Sequence, residues 1–305
     1  MPEARSYAAG ATLLSLDQQE VGFLKSSEGG AITADVIHEP LGASLFIKKH
    51  LGQPRYEDIA LGLGFSMSPR VLAWIADTWA MKQPRKDGSL TFCDYALNAT
   101  SRLDFVDGLI TETTIPACDA ASKEAAFLRL KLTPESLRFS KVSGRVGGAI
   151  AKSEKKSWVA SGFKLAVDGL DCSKVSRIEP FTVKQTILFD EIGEAREWAR
   201  TPSQVEFPNL RVTLSEAGAQ SWLDWHEDFV IKGNNDDSEE RDGRLSFLAP
   251  NMKDELAAVK LYNLGIFRIA SDKSEATKDQ IKRVTADLYC ERMELQFPTA
   301  EEPIR

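Results

Sequence analysis

Residues 55–79 read RYEDIALGLGFSMSPRVLAWIADTW, and the chain repeats the pattern of this stretch at residues 206–229, EFPNLRVTLSEAGAQSWLDWHEDF. In both copies an aromatic residue and a polar turn precede a run of alternating apolar residues, which predicts a strand. The alternating positions recur at a constant offset of 151 residues: Ile59, Leu61 and Leu63 correspond to Leu210, Val212 and Leu214. The pattern therefore predicts one strand in each half with the same phase.

A helix is predicted directly after each of these strands. Its apolar positions recur at an offset of 150 residues: Leu72, Ile75 and Trp79 correspond to Trp222, Trp225 and Phe229. Spacings of three and four residues place such side chains on one helical face. We interpret the stripe as the face by which the helix packs on its sheet. An aromatic binding surface is the alternative.

Further repeats extend this pattern through most of the chain. The segment 12–24 matches 163–175, and both are predicted strand–turn–strand units. The segments 31–55 and 182–205 are predicted to form long polar hairpins. The remaining matches are Asp87-Gly88 with Asp242-Gly243, Phe105–Leu109 with Tyr262–Ile266, and Leu128–Phe139 with Ala286–Phe297. The offset grows because the second half contains an insertion, KGNNDDSEER, at residues 232–241.

Residues 140–156 read SKVSGRVGGAIAKSEKK, which is the composition of a linker. We therefore predict a mainly β (α+β) fold of two tandem homologous β-sandwich or barrel domains. Each domain is expected to carry one flanking α-helix and one long β-hairpin. The domains are predicted at residues 1–145, a degraded copy, and 157–305, with the linker at 140–156. Two copies indicate a duplicated domain rather than a solenoid or propeller.

Composition excludes several classes of protein. A chain of 305 residues with 43% hydrophobic and 27% charged residues is typical of a soluble globular protein of two domains. A net charge of −7 argues against a nucleic-acid-binding surface. Neither a signal peptide nor a membrane span is predicted, so we expect synthesis and first folding in the cytoplasm. The four cysteines include no CxxC pair and are expected to be reduced thiols.

Motifs for catalysis or cofactor binding are also missing from the sequence. His226 lies between Asp224 and Asp228 and could be a metal ligand or a pH-responsive group, but a solvated acidic helix face is the simpler interpretation. The acidic run 234–240 lacks the glycine and terminal glutamate of a calcium loop. The glycine-rich run 143–148 lacks the lysine of a phosphate loop. We predict no catalytic residue, no metal site and no cofactor.

The order of these elements resembles a known family. The strand, the Asp-Gly turn, the long hairpin and the motifs FPNLRVTLS, WLDWHEDF, DGRLSFL and ADLYCERMEL resemble the tail tube proteins of contractile phages and phage-like contractile injection systems. These are related to the type VI secretion tube protein. The resemblance covers residues 163–297 well and the first half more loosely. Family members usually carry one such domain and form six-membered rings, whereas this chain has two.

The resemblance implies a structural, non-enzymatic subunit of a tube. Three chains with two domains each would close a pseudo-six-fold ring, or the chain would be a hub or adaptor at the tube end. The implied partners are other copies of the chain and neighbouring tube, baseplate or sheath proteins, with no membrane. Its expected location is a virion tail or an assembled injection particle.

Two further hypotheses concern the lumen and the alternative function. The hairpins are expected to line the lumen of such a ring, and Glu191, Glu194 and Glu197 are the candidate lumen residues. Nucleic acid is considered only as a possible lumen cargo. A duplicated β-sandwich that binds a sugar or a peptide is the alternative function, and it would require a pocket with aromatic and convergent polar groups.

Overall fold

The computed structural model describes residues 10–40, 42, 46–65, 67–146, 158–190, 199–271 and 282–298. Within these residues the chain forms nineteen β-strands and two α-helices. The predicted mainly β class is therefore confirmed. The candidate lumen residues Glu191, Glu194 and Glu197 lie outside the described residues.

The first half contains eleven strands and one helix. They are β1 (Ala11–Leu16), β2 (Gln19–Leu24), β3 (Ser26–Gly29), β4 (Ile32–Pro40), β5 (Ile47–Tyr56), β6 (Ile59–Leu63), α1 (Pro69–Trp79), β7 (Lys86–Cys93), β8 (Ala99–Ile115), β9 (Cys118–Asp119), β10 (Leu128–Thr133) and β11 (Ser136–Lys141). Strand β11 ends within the predicted linker, of which residues 147–156 lie outside the described residues.

The second half contains eight strands and one helix. They are β12 (Phe163–Val167), β13 (Val175–Ile178), β14 (Phe181–Asp190), β15 (Ala199–Glu206), β16 (Leu210–Ser215), α2 (Gln220–His226), β17 (Arg241–Leu248), β18 (Glu255–Ser271) and β19 (Arg283–Gln296). A 3-10 turn at Glu216–Gly218 precedes α2, and a π-helical turn at Glu227–Ile231 follows it.

The strands follow one order in both halves. In the first half the order is β2-β1-β7-β8-β10-β6-β3, and β11 continues the line of β10 along β8. In the second half it is β12-β17-β18-β19-β16-β13, after which β9 of the first half is added. Strand β19 thus takes the place that β10 and β11 share. All the paired strands of the described residues are antiparallel, both those joined by hairpins and those far apart in sequence, such as β6 with β10 and β16 with β19.

Pairing registers correct the predicted matches in the later strands. Phe105 lies opposite Gly88, and Leu261 lies opposite Gly243, so the counterpart of Phe105 is Leu261 and not Tyr262. Leu132 pairs with Ile59 just as Leu288 pairs with Leu210, which shifts the last predicted match by two residues. The structural offset along β8, β10 and β11 is therefore 156 residues.

The two helices begin in different ways. In α1, Pro69 at the first helical position suits the helix geometry, and the hydroxyl of Ser68 accepts a hydrogen bond from the backbone N–H of Arg70 at 3.4 Å. In α2 the capping residue is Ala219, which makes no side-chain cap. The shorter α2 therefore depends more on the packing of its buried face than on its own cap.

One hydrophobic core runs through both halves. Where they meet, the Phe247 ring stacks at 4.9 Å on Phe65 of the first half and lies 4.9 Å from the Trp158 ring. The indole N–H of Trp158 donates to the carbonyl of Gly162 at 3.1 Å. Three aromatic side chains from distant parts of the sequence therefore connect the two halves.

Candidate assembly interface

A strand junction between the halves is the main feature that sequence reasoning missed. The first residues of β14 pair with the last residues of β8, with Phe181 opposite Ile115 and Lys184 opposite Glu112. The hydroxyls of Thr114 and Thr182 lie 2.9 Å apart across this pair. The hairpin β14–β15 of the second half thereby extends the sheet of the first half.

Burial shows that this junction is closely packed. Phe181 and Val183 of β14 are only 4% and 3% exposed. Burying side chains of this size typically contributes about 1.5–3 kcal/mol each. The opposite charges of Lys184 and Glu112 face each other at the rim. The junction therefore has an apolar centre and a polar edge, like an interface between subunits.

The outer strand of the same hairpin also contacts the first half. Gln83 donates to the carbonyl of Pro202 at 3.3 Å, and Arg85 donates to the carbonyl of Arg200. The guanidinium of Arg200 is buried, donates to the carbonyl of Tyr56 at 3.4 Å, and has its pKa lowered by burial. Because Arg200 lies opposite Phe189 and Pro202 lies opposite Ile187, the contact of this hairpin with the first half extends beyond its base.

The hairpin β4–β5 has the same pairing pattern as β14–β15. Thr33 pairs with Arg55 as Lys184 pairs with Glu206, and Val36 pairs with Leu51 as Ile187 pairs with Pro202, all at an offset of 151 residues. Both hairpins carry a register shift at the same place, between these two pairs. In the described residues, however, β4 and β5 form a two-stranded sheet that pairs with no other strand.

The helix residues singled out from the sequence all lie in the core. Their exposed fractions are 4% for Leu72, 0% for Ile75, 2% for Trp79, 0% for Trp222, 4% for Trp225 and 5% for Phe229. Helix α1 packs against β19 of the other half, and α2 packs against β18 of its own. Because Trp74 and Trp158 are buried as well, every tryptophan in the described part of the chain is inside.

Three contacts of tryptophan side chains hold the helices in place. The Trp222 indole N–H donates to the carbonyl of Asp171 at 3.0 Å. The Arg241 guanidinium lies over the Trp225 ring at 4.9 Å, and Trp79 meets Phe207 of the second half edge-on at 6.4 Å. Helix α1 is thus a shared element of both halves.

The sheet face opposite α2 carries a group of arginines around one carboxylate. Arg211 holds both oxygens of Asp287, at 2.7 Å and 3.2 Å, and Arg268 donates to the same carboxylate at 3.0 Å. Arg177 of β13 pairs with Asp119 on the neighbouring strand β9 and with Glu179, which directly follows β13. Hydrogen bonds from Arg211, together with those from Arg268, hold the pKa of Asp287 below its usual range despite burial.

Asp287 should make stability depend on pH in the acid range. Because its pKa is lowered by folding, its contribution is present above the unfolded value of about 3.9 and is lost as pH falls through the folded pKa. We expect Asp287→Asn to lose about 1–2 kcal/mol at pH 7, a discounted value because both arginines are more than half exposed.

Urea unfolding from pH 7 to pH 2.5 should show wild type and variant converging below about pH 4. Glu291→Gln, at an exposed carboxylate, is the control, and a constant gap at all pH values would contradict the prediction.

Groups for catalysis or metal binding do not come together in the part of the chain that the structure describes. No cluster of three metal-ligating side chains occurs there. Burial raises the pKa of the Cys118 thiol to about 12 and that of Cys290 to about 11, so both thiols stay protonated at neutral pH.

Glu240, in the acidic insertion, accepts hydrogen bonds from Tyr289 at 2.6 Å and Asn263 at 2.7 Å, which anchors the end of that loop. The described helices are also too short or too polar to cross a bilayer.

Comparisons with known proteins give structural neighbours only. No protein-family model matches the chain, and no curated protein matches it. A chain of the sheath-tube complex of an extracellular contractile injection system (PVC, extended state) is similar at 21% identity, over 46% of this chain and 95% of that chain, with a TM-score of 0.40. The anti-feeding prophage tube-terminating cap gives 17% identity, 45% and 89% coverage, and a TM-score of 0.34. Hcp1 from Flavobacterium johnsoniae gives 12% identity, 44% and 93% coverage, and a TM-score of 0.26.

Proposed function

We propose that the chain is a non-enzymatic structural subunit of a phage tail or phage-like contractile injection system. It would form a ring of the tail tube, or a hub or adaptor at the tube end. The observation that carries this proposal is the pairing of β14 with β8, by which one half of the chain extends the sheet of the other half. The sequence resemblance to tail tube proteins supports the same function.

The two halves are proposed to be copies of one domain, at residues 1–145 and 157–305. The shared strand order and the two hairpins with the same register shift support this. On this view the junction inside the chain corresponds to a junction between two neighbouring subunits of a ring. Continuing the same addition around a ring leaves no open sheet edge, which is what stable β assemblies require.

Six domains per ring, as the resemblance implies, correspond to three chains. The implied partners are other copies of the chain and adjoining tube, baseplate or sheath proteins, with nucleic acid only as a possible lumen cargo. The chain would be synthesised in the cytoplasm and would then become part of a virion tail or an assembled injection particle. Because every described tryptophan is buried, the sugar- or peptide-binding alternative has no tryptophan platform in the described residues.

Mass photometry on a dilution series of the purified chain tests this proposal. We expect a species of three times the 33.7 kDa chain mass at micromolar concentration, which dissociates on dilution. Negative-stain class averages of that species should show a ring with a central hole. A particle that stays monomeric over the whole series, with no ring in the images, would overturn the proposal and favour a binding module.

A further inference from the structure

We propose that neighbouring chains join head to tail by repeating, between two copies, the junction seen inside one chain. The β4–β5 hairpin of one copy adds to residues 268–271 of β18 in the next copy, with Ile32 opposite Ile269. This inference rests on the proposed ring function and deepens it, because it names the two surfaces that meet, their polarity and their register.

The acceptor edges of the two halves are equivalent. Strand β8 pairs with β7 up to Gly108 and then runs on to Ile115, and β18 pairs with β17 up to Leu264 and then runs on to Ser271. Strand β8 has a register shift against β10 after Ile110, and β18 has one against β19 after the corresponding residue, Ile266. By this register, Glu112, Thr113, Thr114 and Ile115 correspond to Arg268, Ile269, Ala270 and Ser271. Residues 112–114 of β8 pair with β10 on one side, and residues 112–115 pair with β14 on the other. Residues 268–271 of β18 pair with β19 on one side, and no described strand pairs with them on the other.

The donor hairpins show the same contrast. Val183, which lies opposite Thr113 in the internal junction, is 3% exposed, and its counterpart Ile32 is 48% exposed. Beyond the register shift the contrast depends on the strand. In β14, Leu188 is 53% exposed and its counterpart Ile37 is 50% exposed, whereas in β15 Pro202 is buried and its counterpart Leu51 in β5 is 70% exposed. Ile32 and Leu51 are therefore exposed apolar residues at positions that are buried in the β14–β15 hairpin, whereas Ile37 is at a position that is exposed in both hairpins.

A second contact supports the same polarity. Helix α1 of the first half packs against β19 of the second half, where Leu295 is 3% exposed. The register gives Leu295 the counterpart Phe139 in β11, because Phe139 pairs with Leu103 as Leu295 pairs with Val259. Phe139 is 59% exposed, and Leu223 on α2 is 40% exposed.

One copy therefore offers α2 and the β18 edge, and the next copy offers the β4–β5 hairpin and β11. These open surfaces are the counterparts of the two surfaces that the internal junction joins. Such a contact is heterologous, because the two partners use different surfaces, and heterologous contacts close into rings when the rotation allows.

Disulfide trapping tests the register. Directly opposed residues in antiparallel strands have Cβ atoms about 4.5–5.5 Å apart, close to the range that a disulfide spans. We expect a chain with Ile32→Cys and Ile269→Cys to form covalent dimers and trimers on mild oxidation. A mixture of the two single variants should stop at covalent dimers. The control Ile37→Cys with Ile269→Cys, and the wild type with its four native cysteines, should form neither.

A charge substitution supplies an independent measurement. Ile32→Lys should weaken assembly by at least about tenfold in mass photometry, because a charge would enter an apolar contact. Ile37→Lys, equally exposed on the same hairpin, should assemble like the wild type. If both lysine variants form rings, and the Ile32→Cys, Ile269→Cys chain forms no covalent cross-link, this inference is overturned while the proposed function stays intact. A monomeric wild type would overturn both.

Discussion

Truncation of Trp222 to alanine is expected to lower the free energy of unfolding by about 3–5 kcal/mol. The side chain is completely buried between α2 and its sheet, and its indole N–H is bonded to the carbonyl of Asp171. The variant loses the apolar contacts, leaves a cavity, and strands the Asp171 carbonyl. Because α2 lacks a side-chain cap, the helix depends on the packing of its buried side chains, of which Trp222 is the most buried.

Chemical denaturation of the purified variant measures this loss. Val230→Ala is the matched control, since it removes a side chain that is 40% exposed from the turn that follows the same helix. That change should alter stability by no more than about 1 kcal/mol. An unchanged unfolding midpoint in Trp222→Ala would contradict the packing role of the stripe and would revive the aromatic binding surface.

Replacement of Phe247 by alanine is expected to cost about 3–5 kcal/mol as well, with a different signature. This ring contacts both Phe65 of the first half and Trp158 at the start of the second. Its loss removes aromatic pairs that connect the halves, each worth about 0.5–1.5 kcal/mol. We therefore expect the two halves to unfold less cooperatively in the variant than in the wild type.

Calorimetry separates this effect from a simple loss of stability. The Phe247→Ala variant should show a broadened or double transition, whereas Trp222→Ala, which keeps the Phe247 contacts, should show a single transition at a lower temperature. Tyr95→Ala, at a residue that is 79% exposed, should leave the scan unchanged. A single sharp transition at the wild-type temperature would show that the aromatic cluster does not couple the halves.

Local patterns in the sequence predicted the elements that depend on local physics. Alternation indicated the β6 and β16 strands, and three-four spacing indicated the helices, because these periods follow directly from backbone geometry. Burial of both stripes accords with that pattern. The predicted matches of the later strands are one or two residues out of register, because the offset grows by one residue between Gly88 and Phe105 and the apolar pattern does not mark this change.

The junction between the halves could not be predicted in the same way. Pairing of Val183 with Thr113 joins residues that are far apart in sequence, and strand pairing carries no residue code strong enough to choose one open edge over another. The polar composition of residues 182–205 predicts a long polar hairpin and gives no signal that Phe181 and Val183 at its base are buried.

The insertion at residues 232–241 has a consequence for symmetry. It occurs in one half only, next to α2, and Glu240 ties it to Tyr289 and Asn263. A ring of six identical domains would present six such loops, but three chains present them at every second position, 120° apart. The backbone of the proposed ring would then be nearly six-fold while its acidic surface is three-fold, so one face could match a six-fold partner and the other a three-fold one.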